Sequence, residues 1–211
     1  MFGRLLRRLR YGDEVIVVTG LPRSGTSMMM KMLDAAGLSI MTDNVRTADE
    51  DNPKGYYEFE RVKELEEETD KSWVRDTRGK VLKVITHLLK ALPEENFYRV
   101  IFMLLDLDEV LASQNKMLER RGEENPISDS KAKESYRKHI IDMKVFLRTR
   151  PNFELLEVGY TEALNDHKAV AEKVNHFLGD RLEPEKLMGA VDAQLYRNRK
   201  ELLAPAPSPP A

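Results

Sequence analysis

A cation and a row of hydroxyl side chains follow a short apolar run near the start of the chain. Val15 to Val18 is β-branched and apolar, which predicts a buried strand. A glycine-bounded loop, 20–25, follows, and Thr26 and Ser27 then open a breaker-free stretch to Leu33 that predicts a helix. The first amide groups of a helix lack backbone acceptors, and the helix dipole favours negative charge there. The stretch therefore predicts an anion-binding loop.

The place of the cation distinguishes this loop from that of nucleotide triphosphatases. The two glycines have the spacing of a P-loop, but Thr26 stands where the usual lysine would be. The cation is instead Arg23, inside the loop. A magnesium-dependent kinase or nucleotide triphosphatase remains an alternative, because the apolar run ending in Asp106 could be a Walker B strand, with Asp106 and Ser27 on the metal.

The loop resembles the phosphosulfate-binding loop of sulfotransferases that use 3′-phosphoadenosine 5′-phosphosulfate (PAPS), of the form Pro-Lys/Arg-Ser-Gly-Thr-Ser/Thr. The matching stretch and the residue before it are Leu21, Pro22, Arg23, Ser24, Gly25, Thr26 and Ser27. The resemblance implies that this stretch holds the 5′-phosphate of PAPS or of its product PAP. It also implies that Arg23 neutralises the bridging oxygen as the sulfuryl group leaves. No metal is expected, since the chain has no cysteine and only four scattered histidines.

A turn followed by aromatic residues is the second point of resemblance. The segment Asn52-Pro-Lys-Gly precedes Tyr56, Tyr57 and Glu58, and bacterial members of the family carry a similar segment. Proline and glycine fix a turn, which would place the three following side chains beside a substrate. The alternative is that both tyrosines pack at the rim and that Glu58 caps a helix.

A histidine is the candidate general base. The run 79–87 predicts a second strand that ends in Thr86 and His87. Together with Leu88, these two residues match the family segment whose histidine is the base, although the family's neighbouring lysine and proline are absent here. Imidazole accepts protons near neutral pH, which suits His87 to this role. An ordinary loop histidine is the alternative.

The third predicted strand, Tyr98 to Asp106, leads to the position where the family holds the 3′-phosphate. Asp106 aligns with the aspartate of the family's Arg-Asp-Pro motif, and Ser113 falls seven positions later, as in the family. Leu105 occupies the arginine position, so the resemblance implies Ser113 as a ligand but leaves the phosphate without its cation. Candidate replacements are Arg120, Arg121, Arg197, Arg199 and the basic start of the helix predicted from Ser128.

The fourth predicted strand, Asn152 to Tyr160, opens the last block of resemblance. Tyr160 and the amphipathic helix that closes at Gly179 are similar to the family's Tyr-Glu-Asp-Leu, helix, Phe-Leu-Gly block. The resemblance implies that Tyr160 lies near the nucleotide, and packing at the end of a strand is the alternative.

Three further helices follow from apolar periodicity and capping residues. We expect helices over Phe59–Trp73, from Asp108 as the cap to Arg121, and from Ser128 as the cap to Arg148. The expected core face of the last helix is Tyr136, Ile140, Ile141, Val145 and Phe146.

Four apolar strands that alternate with helices predict an α/β fold with a parallel sheet. We expect a P-loop NTPase-like three-layer sandwich with a central sheet of about four to five strands. The expected organisation is a basic amphipathic segment at 1–12, one sulfotransferase-like domain at 13–203, and a proline-rich disordered tail at 204–211.

Composition excludes several partners. The net charge of −2 gives no general reason to expect nucleic-acid binding, and no apolar run is long enough to span a membrane. Residues 1–10 place Phe2, Leu5, Leu6 and Leu9 on one helical face, with arginines around it. This segment is expected to pack on the domain or to fray, with weak contact to an anionic membrane or a partner as the alternative. A cytoplasmic location is expected.

These features together predict transfer of a sulfuryl group from PAPS to a hydroxyl or amine. The acceptor could be a small molecule, a glycan or a lipid, and neither it nor the oligomeric state follows from the sequence. A third possibility, besides the kinase, is a non-catalytic binding protein that kept the sulfotransferase fold. Leu105 supports this possibility, because it removes the arginine that would hold the cofactor's 3′-phosphate.

Overall fold

The computed structural model describes residues 2–43, 45, 57–123 and 125–190. The strands are β1 (Val15–Gly20), β2 (Val81–Lys83), β3 (Tyr98–Leu104) and β4 (Phe153–Gly159). The α-helices are α1 (Phe2–Tyr11), α2 (Thr26–Ala35), α3 (Leu107–Arg121), α4 (Asp129–Thr149), α5 (Tyr160–Asn165), α6 (His167–Leu178) and α7 (Pro184–Met188). Short 3-10 helices span Glu60–Glu64, Ser72–Thr77 and Thr86–Ala91. None of the helices in these ranges is both long enough and apolar enough to cross a membrane.

The four strands form one parallel sheet in the order β2-β1-β3-β4. β1 has a partner on each side and is buried along its whole length, as expected for a strand in a covered parallel sheet. Because all strands run the same way, their carboxyl ends share one edge, where ligands of α/β proteins usually bind. The loop after β1 opens at this edge.

Apolar residues cover both faces of the sheet. Along β1, Val15 and Val17 belong to one core cluster, and Ile16 and Val18 belong to the other, as the two-residue period of a strand requires. The first cluster includes residues of α4 and the 3-10 helices, and the second includes α2, α6 and α7. The predicted three-layer α/β sandwich with a four-stranded parallel sheet is confirmed.

The helix predicted over residues 59–73 is wrong. The 3-10 helix Glu60–Glu64 begins this stretch, a turn follows, and the 3-10 helix Ser72–Thr77 ends it. Glu68 accepts hydrogen bonds from Arg61 Nη2 at 2.6 Å and from Trp73 Nε1 at 2.6 Å. On an α-helix, residues seven apart lie about 10 Å apart along the axis and residues five apart point in different directions, so neither bond suits a continuous helix. A helix would also have stacked like charges at Glu64 and Glu68.

The second strand is shorter than predicted. β2 ends at Lys83, and Thr86 and His87 lie in the following 3-10 helix. The register pairs Val18 with Lys83, so positions 86 and 87 would lie beyond the end of β1 at Gly20. Without a neighbouring strand the chain has no ladder to continue, and it turns.

Two details of the later helices differ from the prediction. Asp106, not Asp108, caps α3, because its Oδ1 accepts the Asp108 amide at 2.9 Å. Ser128 does occupy the cap position of α4. On α4, however, Ile141 and Val145 are 54% and 56% exposed. The buried residues of this helix are Ala132, Met143 and Leu147.

Candidate active site

The loop between β1 and α2 is a tight turn that requires glycine at its first position. Ser24 donates from its amide to Leu21 O at 3.2 Å and from its hydroxyl to the same oxygen at 2.7 Å. A Cβ on Gly20 would lie 2.3 Å from Ser24 Oγ and 2.8 Å from Met103 O. Glycine at position 20 is therefore a steric requirement of the loop.

Arg23 connects the loop to α3. Its backbone has a φ of 71°, a left-handed conformation that non-glycine residues adopt mainly where the surroundings enforce it. Its Nε donates to Ser113 Oγ at 2.9 Å, and Ser113 is only 9% exposed. Two residues that the family resemblance named as site residues, 90 positions apart, are therefore in direct contact.

Gly25 and Tyr160 pack against each other beneath the start of α2. Gly25 caps α2 with a φ of 91°, and a Cβ there would lie 2.2 Å from Tyr160 Cδ2. Tyr160 is buried at the start of α5, so its ring supports the loop backbone. This is the packing role that was left open for Tyr160, and its contact with a nucleotide stays a prediction.

The helix start supplies the groups that an anion needs. Thr26 and Ser27 form the first turn of α2, where backbone amides have no acceptor within the helix. The dipole adds roughly half a positive charge at this end. The predicted strand, glycine loop and helix are thus present in the expected order, and anion binding at this helix start stays a prediction.

A lysine that the sequence analysis missed lies beside this element. Lys83, the last residue of β2, places Nζ 3.3 Å from Ser27 Oγ, and its side chain is 14% exposed. It is a second cation at the loop, contributed by the neighbouring strand. A local signal existed, since the loop lacks its usual lysine and a lysine ends the next apolar strand.

Glu58 reaches the site through this lysine. Its Oε1 lies 3.7 Å from Lys83 Nζ, and its Oε2 lies 3.7 Å from Lys63 Nζ. The backbone carbonyl of Glu58 accepts the Thr42 hydroxyl at 3.0 Å. Asp43 accepts the Glu60 amide at 2.6 Å, and this bond is the main reason why the pKa of the Asp43 carboxyl is lowered. The two segments together hold Glu58 in place.

The neighbouring tyrosines are not both placed at the loop. The Tyr57 hydroxyl donates to Asp34 Oδ2 at 3.4 Å, and burial together with this carboxylate raises the pKa of Tyr57. Asp34 is in the last turn of α2, about 12 Å along the helix from Thr26. Three other predicted site residues, Tyr56, Arg197 and Arg199, lie outside the described residues.

His87 is exposed on the 3-10 helix that follows β2. Its neighbour Thr86 is buried, with Oγ1 2.8 Å from Nε2 of His139 on α4. Burial lowers the pKa of His139, and the nearby charges of His87 and Lys90 lower it further. The structure thus places a second histidine near His87, and the role of His87 as a base stays a prediction.

The described ranges hold no group of three or more His, Cys, Asp or Glu side chains that could bind a metal ion. Asp106, the carboxylate considered for a Walker B role, accepts the Asp108 amide in the cap of α3. The chemistry that the described site can offer is therefore anion binding by backbone amides, Arg23 and Lys83, with hydroxyl groups at Ser27 and Ser113.

Comparison with solved structures gives a likeness in fold. No protein-family model matches the chain, and no curated protein matches it. Among solved structures, a sulfotransferase domain from the curacin biosynthetic pathway matches 87% of this chain and 79% of its own, with 13% sequence identity and a TM-score of 0.51. At that identity the likeness concerns the fold alone. The chain adopts an α/β fold similar to that of this sulfotransferase domain.

Proposed function

We propose that the protein transfers a sulfuryl group from PAPS to a hydroxyl or amine acceptor. The observation that carries this proposal is the hydrogen bond between Arg23 Nε and Ser113 Oγ at 2.9 Å. The family resemblance assigns these residues to the 5′-phosphosulfate and to the 3′-phosphate, and the fold brings them together. The similarity of the fold to a sulfotransferase domain supports the same function.

In this proposal, the loop holds one phosphate and two cations flank the reacting bond. The amides of residues 24–27 bind the 5′-phosphate, and Arg23 and Lys83 approach from the α3 side and the β2 side. As the acceptor attacks sulfur in line, the bond from sulfur to the bridging oxygen breaks and PAP leaves. Cations that are fixed beforehand near this oxygen stabilise the charge that develops on it.

The acceptor proton needs a base, and two candidates differ in their surroundings. Glu58 already faces both Lys83 and Lys63 at 3.7 Å. His87 is exposed at the same edge of the sheet, and imidazole takes up protons near neutral pH. We therefore propose His87 as the first candidate and Glu58 as the second.

The 3′-phosphate needs a cation in place of the arginine that Leu105 replaces. Arg23 lies next to Ser113. Lys133, on the basic first half of α4, places Nζ 2.6 Å from Asp108 Oδ1 at the start of α3. We propose Lys133 for the 3′-phosphate, together with the predicted residues Arg197 and Arg199, and keep Arg23 at the bridging oxygen.

One observation keeps a magnesium-dependent kinase or nucleotide triphosphatase as the second candidate function. The loop lacks the P-loop lysine, but Lys83 brings an ammonium group to within 3.3 Å of Ser27 Oγ. A lysine at this place could contact a terminal phosphate of a nucleoside triphosphate.

A thermal-shift titration separates these functions. We expect PAP to stabilise the protein without magnesium, by about 2.7 kcal/mol at 100 times its Kd. Arg23→Ala should keep the unliganded melting temperature to within a few degrees, and should lose both the PAP shift and transfer from PAPS. A magnesium-dependent shift with ATP would favour the kinase. No change in melting temperature with either PAP or ATP, or full activity of Arg23→Ala, would contradict the proposed function.

A further inference from the structure

The amphipathic helix α1 packs on the domain through its polar face. Tyr11 is buried against Phe97, with ring centroids 6.2 Å apart. The Arg7 guanidinium lies 5.0 Å from the centre of the Phe97 ring and also pairs with Glu154. Arg7 and Tyr11, which are four residues apart, therefore define the side of the helix that faces the protein.

The apolar stripe of α1 points the other way. Leu6 is 57% exposed and Leu9 is 76% exposed. The helical period places Leu9 opposite the side of Arg7 and Tyr11 and places Leu6 about 120° from it, on the stripe that the sequence predicts to include Phe2 and Leu5. Amphipathic surface helices normally turn such a stripe toward the core. Here Leu6 and Leu9 remain exposed to solvent.

The charges beside this stripe have one sign. α1 contains four arginines and no acidic residue. Arg8 pairs with Asp13 at 2.7 Å, but this pair is exposed, with 70% and 53% of the side chains accessible. Exposed ion pairs are weak and exchange partners readily. Arg10 lies over the Tyr11 ring, and Glu94 and Glu95 share a surface pocket with it, so the basic character belongs to α1 and not to the whole end of the molecule.

We propose that α1 docks the protein on an anionic lipid surface. Leucines that project outward between arginines are the pattern of helices that lie in the plane of a membrane interface, with apolar side chains among the acyl chains and cations at the phosphates. An acidic protein partner would satisfy the arginines but would not require the outward leucine stripe. A second copy of the chain would bring two basic helices together, which charge repulsion opposes.

Docking through α1 fixes the direction in which the anion-binding loop faces. α1 contacts Phe97, just before β3, and Glu154, near the start of β4, so it lies at the amino end of the sheet. The loop lies at the carboxyl end, beyond the six residues of β1, which span about 20 Å. The loop of a docked molecule would face the solution, away from the lipid.

Cosedimentation with vesicles tests the proposal on the full chain. Vesicles would be made of phosphatidylcholine alone or with roughly a third of phosphatidylserine. We expect binding only to the anionic vesicles, with weakening as salt rises. The double variant Leu6→Ser/Leu9→Ser should bind at least about tenfold more weakly, because two leucine side chains no longer enter the interface.

The matched control is Ile141→Ser/Val145→Ser on α4. It removes another pair of exposed apolar side chains and should bind vesicles like the wild type. All four side chains are exposed, so both double variants should melt like the wild type. Equal binding by the two double variants, equal binding to neutral vesicles, or no binding at all would overturn the proposal. So would a wild-type dimer, seen by light scattering, that Leu6→Ser/Leu9→Ser dissociates.

Discussion

At the scale of single residues, the contact between Gly25 and Tyr160 determines whether the anion-binding loop can form. Gly25→Ala combines a φ of 91° with a Cβ only 2.2 Å from the Tyr160 ring. The left-handed backbone costs about 1–2 kcal/mol for a residue with a side chain, and the overlap adds about 1–3 kcal/mol. We expect urea unfolding to show the sum of these two losses.

Gly37→Ala is the matched control for this prediction. Gly37 also has a left-handed φ, 86°, but a Cβ there would meet nothing within 4 Å. It should therefore show only the backbone loss of about 1–2 kcal/mol. Equal losses for the two variants would mean that Tyr160 gives way easily and does not support the loop.

Lys83 is the second residue whose removal distinguishes interpretations of the site. Lys83→Met should weaken PAP binding about tenfold or more, because a charge-assisted bond to the ligand is lost. Lys63→Met removes the other lysine at 3.7 Å from Glu58 and should leave PAP affinity unchanged. Isothermal titration of both variants checks this, and equal affinities would exclude Lys83 from the anion site.

The sequence predicted which residues form the loop, but it did not predict which side chains from other elements contact them. Strand, glycine spacing and hydroxyls are local, so Arg23 to Ser27 could be predicted as one unit. The sequence shows that a lysine ends the second apolar strand, but the approach of Lys83 to Ser27 depends on the register that pairs Lys83 with Val18, and no local pattern contains that register. The contact between Arg23 and Ser113 likewise depends on how α3 sits beside the loop.

At the scale of elements, His139 ties α4 to the 3-10 helix that carries His87. Burial, His87 and Lys90 lower the pKa of His139 in the folded protein below its ordinary value of 6.5, against the opposing charge of Asp142. Below pH 6.5 the unfolded chain therefore binds more protons at this residue than the folded chain does. Stability should fall as the pH drops from about 6.5 to the lower folded pKa, and this loss should then level off.

The variant His139→Gln tests this pH dependence, because it keeps a polar side chain near Thr86 but cannot take up a proton. Urea midpoints measured between about pH 7.5 and about pH 5 should fall less steeply than in the wild type. His167→Gln, which alters an exposed histidine at the start of α6, is the control and should leave the wild-type slope. An unchanged slope in His139→Gln would contradict the prediction.

Elements dominated by apolar runs were predicted well, and those decided by side-chain contacts were not. β1 and β3 are almost entirely apolar, and β4 alternates in part between apolar residues and Glu154 and Glu157, so the sequence pattern predicted all three strands. The stretch 59–73 has helix-forming residues, but its bonds between Arg61, Glu68 and Trp73 favour 3-10 turns. On α4, apolar residues occur on two faces, and only packing selected Met143 and Leu147 for burial.

At the scale of the whole molecule, two apolar cores share one four-stranded sheet. Trp73 belongs to the core on one face, and Leu178 belongs to the core on the other. Because β1 contributes side chains to both cores, disruption of either core should unfold the whole sheet. Leu178→Ala should cost about 2–5 kcal/mol.

Two probes check whether this loss is shared across the sheet. The Trp73 fluorescence midpoint and the far-UV circular dichroism midpoint of Leu178→Ala should fall together, although the change lies on the opposite face from the tryptophan. A fluorescence midpoint that stays at the wild-type value would show that the two layers unfold separately.

The parallel α/β class could be predicted because strands alternate with helices, and crossover connections of this kind make parallel sheets. The order of the strands could not be predicted, since several strand orders are compatible with the same alternation of strands and helices. That order has a practical consequence, because it gives β1, like β3, a neighbouring strand on each side. The candidate site is thereby built on one of the two inner strands and supported from both flanks.

The two outer strands of the sheet determine how easily folded molecules aggregate by pairing their strands at high concentration. β2 has only three residues, and Ile40 bridges to Val81 on it. β4, the last strand among the described residues, carries Glu154 and Glu157, and Glu157 pairs with Lys144 at 2.6 Å. Edge strands that are short, covered or charged pair poorly with a strand from another molecule. The folded protein should therefore resist fibril growth by strand addition, and aggregation in storage should require prior unfolding.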